Sequence, residues 1–130
     1  MGKVGGTRLN RSLSESEQAL IAALLSYLPE GAESFLAQLE QARVVDHCSC
    51  GCPSIDLAIG KARKRPTGDT EILIGADGCS PEGTPVGIIL WVQAGNLSSL
   101  EVHAWDAATD FSLPEPDTLD NVSIPDAAIS

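Results

Sequence analysis

Residues 86–105 read VGIILWVQAGNLSSLEVHAW, the clearest structural signal in the chain. The first eight are almost continuously apolar, as a central strand buried on both faces would be. Ala94-Gly95-Asn96 then interrupts the run, and Gly and Asn both tolerate the positive φ that a tight hairpin demands. On the return, Leu100, Val102 and Ala104 alternate with Ser99, Glu101, His103 and Trp105, so one face is apolar and the other polar. This spacing predicts two antiparallel strands joined by a short turn.

Strand-like stretches precede the hairpin. Val44 and Val45 open one, Ile55, Leu57 and Ile59 alternate in a second, and Glu71 to Gly75 (EILIG) form a third. ADGCSPEGTP (76–85) reads as a turn-rich connection and GKARKRPTGD (60–69) as a polar, basic loop. Further upstream the period lengthens to that of a helix. Ser14-Glu15-Ser16-Glu17 is a capping box, and Leu20, Ile21, Leu24, Leu25 and Leu28 follow as one apolar stripe up to Pro29. A second helix over about 32–42 would turn Phe35, Leu36 and Leu39 inward and Glu33, Gln38, Glu40 and Gln41 outward. It has no Lys or Arg before Arg43, which argues against a DNA-reading helix-turn-helix.

These elements define an α+β domain, with a helical hairpin packed on an antiparallel meander of four or five strands. The expected boundaries are a flexible arm at 1–12, a single domain at 13–112, and an extended acidic tail at 113–130. Pro114, Pro116 and Pro125 are expected to keep that tail out of any sheet, although Leu113 and Leu119 could dock on the body.

A chain of 130 residues with 43% apolar composition is long enough for one modest core. The longest apolar runs, 19–25 and 86–92, fall far short of a membrane-spanning helix, and residues 1–12 lack the apolar segment of a secretory signal. A cytoplasmic setting is the expectation, and there thiols should be reduced. The net charge of −10 is unevenly distributed: all eight Lys and Arg precede Pro66, whereas eleven carboxylates and no Lys or Arg follow Arg65. That half would repel a phosphate backbone; it could attract a basic protein or simply keep the chain soluble.

Three of the four cysteines lie within HCSCGCPSI (47–55). Cys48, Cys50, Cys52 and Cys79, with His47, supply enough donors for zinc. On a straight strand, however, Cys48 and Cys52 would stand ~13 Å apart, whereas two ligands of one zinc are at most ~4.6 Å apart. Only a bend at Gly51 or Pro53 could gather them. The competing reading treats the cysteines as small buried hydrophobes beside a turn, and a redox role would need a stabilised thiolate.

His103 and Glu101 share a strand face and could form an acid–base pair, but no nucleophile accompanies them and the face could simply be solvated. Asp56 could meet His103 across the sheet. The basic KARKR (61–65) could seat a phosphate or an acidic partner, or offset the acidic half of the chain. No P-loop, GxGxxG, HExxH or GxSxG motif is present.

CSCGCPSIDL (48–57) followed by GNLSSLEV (95–102) resembles a family of small uncharacterised bacterial proteins typical of actinobacteria, over the stretch from Ala42 to the proline-containing tail. The resemblance implies a fold unit and carries no activity. The expectation from the sequence is therefore a non-enzymatic interaction module, in the manner of an immunity protein or antitoxin, whose acidic surface engages a basic protein. Glu101, His103, Trp105, Asp106 and Asp110 are the candidate partner-binding residues. The alternative is a zinc-binding or thiol-redox protein built on the cysteine cluster.

Overall fold

A computed structural model of the chain describes residues 11–47, 53–59, 70–105 and 111–125. The strands are β1 (Arg11–Ser12), β2 (Ala42–His47), β3 (Ile55–Ile59), β4 (Thr70–Cys79), β5 (Pro85–Gln93), β6 (Asn96–Ala104) and β7 (Asp120–Ser123). Two helices, α1 (Glu15–Leu25) and α2 (Ala32–Gln41), and a 3-10 turn at Pro116–Thr118 complete the elements. The α+β class holds, but the sheet is larger than expected. Seven strands pair antiparallel in the order β1-β2-β3-β6-β5-β4-β7.

The arrangement is not a simple meander. β4, β5 and β6 follow one another, while β3 lies beside β6 and so forms a Greek-key order with them. Paired residues share a face, and the apolar ones match across the ladder. Ile88 lies opposite Val102, Leu90 opposite Leu100, Ile74 opposite Leu90, and Ile55 opposite Leu100. All six are at most 4% exposed and form the sheet side of the core. The helices supply the other side, with α1 over β4 and the 3-10 turn, and α2 over β6 and β3.

The capping box forms as the sequence requires. Ser14 Oγ accepts from Glu17 N at 3.1 Å, and Glu17 Oε1 accepts from Ser14 N at 2.8 Å. Arg11 completes the network, donating from both terminal nitrogens to the two Glu17 oxygens at 2.9 Å each. Burial alone would raise the Glu17 pKa. The hydrogen bonds from Arg11 and the Ser14 N–H outweigh it and hold the carboxyl below its usual range. α1 stops at Leu25, earlier than its apolar stripe, because Pro29 disfavours the helical conformation just before it. Tyr27 and Leu28 instead donate three residues back, and Leu28 remains 8% exposed.

α2 departs from the expected faces. Leu39 is buried and Phe35 packs against the core, but Leu36 is 38% exposed. Gln38, expected to face solvent, grips the β5–β6 turn. Its Nε2 donates to Gly95 O at 3.0 Å and Asn96 Oδ1 at 3.3 Å, and its Oε1 accepts from Leu97 N at 2.8 Å. In that two-residue turn the positive φ values fall on Ala94 (54°) and Gly95 (83°), and Asn96 already pairs with Gln93.

The C-terminal segment is not an extended tail. Phe111 is 6% exposed, and Leu113, Leu119 and Val122 pack against the core. Gly78 leaves room for Pro114, whose Cβ lies 2.9 Å from where a Gly78 side chain would begin. Glu82 accepts from Ser112 N at 3.2 Å and Oγ at 2.7 Å, bonds that lower its pKa to about 2. The stretch between Pro116 and Pro125 has no proline to break a ladder, and β7 forms there against β4. Among the described residues no helix is long and apolar enough to cross a membrane.

Candidate interaction face

The helices and residues 111–119 lie on one side of the sheet, so the strands' alternate side chains form a second face. Register assigns its rows. Asp46, Asp56, Ser99, Trp91 and Ile72 lie opposite one another across β2, β3, β6, β5 and β4. Glu101, Ile89 and Gly75 make the next row, and His103, Gly87, Asp77 and Asp120 the one after. β5 is therefore interior in the sheet but, among the described residues, covered by helices on one side only. Ile89 and Trp91 are partly exposed rather than buried.

Both tryptophans of the chain belong to this face. Trp91 Nε1 donates to Glu101 Oε1 at 3.0 Å, which fixes both side chains. The His103 and Trp105 rings meet edge to face, with centroids 4.6 Å apart and an interplanar angle of 81°. Their seat is Gly87: a Cβ there would fall 2.7 Å from His103 Cε1 and Nε2 and 2.8 Å from Trp105 Cζ2. The missing side chain lets both rings lie against the β5 backbone. Trp105 nevertheless remains 59% exposed.

Glu101 and His103 thus occupy the outer face of β6, and Trp105 lies just past its end on the same side. Their partners differ from an acid–base pair, because Glu101 engages Trp91 while His103 contacts Trp105. Asp56 does not meet His103. It lies opposite Ser99, four residues away along β6, or about 13 Å at strand rise. Asp106 and Asp110 lie outside the described residues. Gly87 and Trp91 were missed because the apolar run reads as a doubly buried strand. A glycine inside a strand was the available signal, since it marks a close approach.

Cys48, Cys50 and Cys52 also lie outside the described residues. Cys79 is a free, partly buried thiol at the end of β4. Its backbone N–H donates to Thr118 Oγ1 at 3.0 Å, and its carbonyl accepts from Glu115 N at 3.3 Å. β4 is three positions from β3 in the sheet, about 14 Å at ordinary strand spacing, so β4 does not adjoin the strand that follows the cysteine cluster. Among the described residues no group of three or more His, Cys, Asp or Glu is arranged to hold a metal.

The segments PSIDL (53–57) and LSSLEV (97–102) are neighbours. Ile55 and Asp56 pair with Leu100 and Ser99, and Ser54 Oγ accepts from Val102 N at 2.8 Å and donates to Val102 O at 3.1 Å. Ser54 thereby extends the ladder after Pro53, which has no N–H to give. No family model matches the chain, and neither a curated protein nor a solved structure matches it.

Proposed function

We propose that the protein is a non-enzymatic interaction module that binds a basic protein through the sheet face opposite α1 and α2, in the manner of an immunity protein or antitoxin. The observation that carries this reading is the composition of that face. Two tryptophans and a histidine are held in fixed contacts and left partly exposed, among Asp46, Asp56, Asp77 and Glu101. Aromatic side chains supply binding area at little entropic cost, while the carboxylates favour a cationic partner and speed its approach. The net charge of −10 acts in the same direction.

The test is affinity capture at low ionic strength by the wild-type chain and by a Trp91→Ala/Trp105→Ala variant. A basic protein is expected on the wild-type chain, released as salt rises from about 50 to 300 mM, a range over which the screening length falls from roughly 14 to 6 Å. Failure to recover a partner, or binding indifferent to salt, would count against the reading.

A further inference from the structure

We infer that the recognised chemistry is the arginine guanidinium, carried on an extended basic segment that runs along the outer face of β5 and β6. This inference rests on the reading above and assigns its site and ligand class. Three observations lead to it. First, the His103–Trp105 pair is seated on a side-chain-free position, Gly87, yet the Trp105 indole stays 59% exposed. Its packing therefore orients a ring face without hiding it. Second, the second indole, Trp91, is anchored by its N–H to Glu101, which leaves its π-surface held at a defined position. Gly87 and Trp91 are four residues apart on one strand, so the two platforms are about 13 Å apart, the span of four residues of an extended chain. Third, carboxylates lie along both sides of this line. Asp46 and Asp56 lie toward β2 and β3, Asp77 and Asp120 toward β4 and β7, and Glu101 sits between the platforms.

A guanidinium is planar and weakly hydrated, stacks on indole, and still donates edgewise to a carboxylate. A lysine ammonium is a compact, strongly hydrated charge and gains less from a flat ring. The face therefore favours arginine over lysine at equal charge. Arg43, on the same strand as Asp46, donates to Ser12 Oγ at 3.1 Å on the edge strand β1. It pairs with Ala58, outside the rows of the two platforms.

The probes are acetylated octa-arginine and octa-lysine, titrated at low salt into the full chain. Tryptophan emission is a direct reporter, since both tryptophans of the chain are on the face. Octa-arginine is expected to shift the emission and to bind about five-fold or more tighter than octa-lysine. Trp105→Ala, at an exposed position, should abolish most of that preference. Glu33→Gln/Glu40→Gln on the exposed side of α2 changes net charge by two and should leave the preference intact. Equal binding of the two peptides, or an arginine preference unchanged in Trp105→Ala, would overturn this assignment. If capture of a protein partner remains salt-sensitive in that event, only the site and its ligand class fall. Salt-indifferent capture instead removes the broader reading.

Discussion

Replacing Glu17 with glutamine tests the junction between β1 and α1. Glu17 is 7% exposed and accepts three hydrogen bonds at 2.8–2.9 Å, two from Arg11 and one from Ser14 N. Glutamine can still accept from Ser14 N, so the substitution removes charge while keeping the cap. Two charge-assisted bonds would be worth ~3–6 kcal/mol if fully buried, but the Arg11 side chain is 43% exposed and solvent screens it. A net loss of about 1–2 kcal/mol is expected, or roughly 0.5–1 M in the urea midpoint. Glu17→Ala also orphans the Ser14 N–H and should cost about 1 kcal/mol more. The pH dependence supplies a second readout. The folded pKa of Glu17 lies below the ordinary value of 4.5, so its contribution is complete above that value and lost as pH falls through the folded pKa. The difference between wild type and Glu17→Gln should therefore be largest near neutrality and shrink below about pH 4.5. A double-mutant cycle with Arg11→Met isolates the pair. A gap that does not change with pH, or a coupling energy near zero, would refute the account.

Four further outcomes are expected. Ser54→Ala leaves the Val102 N–H without its acceptor and should destabilise the fold by about 1–3 kcal/mol in urea unfolding, whereas Ser54→Thr keeps the hydroxyl and should cost less. Ala94→Asn should stabilise by about 0.5–1 kcal/mol, because asparagine tolerates the φ of 54° better than alanine at this turn position. Gly78→Val sets a side chain against Pro114 and should lower the melting temperature, with amide exchange accelerating first in residues 111–123. Phe111→Ala should cost up to about 3–5 kcal/mol, measured by denaturant unfolding, and an effect below about 0.5 kcal/mol would refute its place in the core.

Local chemistry was legible in the sequence where one element carried its own signal. Ser14 and Glu17 announce a helix start because both partners of the cap lie within four residues. The β5–β6 hairpin is equally local, with a two-residue turn set between alternating apolar positions. Ser54, Gln38 and Gly87 could not be read this way. Their partners lie 48, 57 to 59 and 16 to 18 residues away: Ser54 needs β3 beside β6, Gln38 needs α2 laid over the β5–β6 turn, and Gly87 needs the register carried to the far end of that hairpin. The C-terminal segment was misjudged for a related reason. Prolines exclude a strand where they stand, but the proline-free interval Asp117–Ile124 needed an open edge on β4 before it could pair.

The α+β class, the two helices, the central hairpin and the shared face of Glu101, His103 and Trp105 follow from side-chain period and turn residues, which act over a few positions. That β3 joins β6, that β7 adds to the edge of β4, and that Gly87 seats two aromatic rings emerged only from the assembled fold. Those features depend on which strands lie side by side, and strand order is set by burial of the whole core rather than by any one segment.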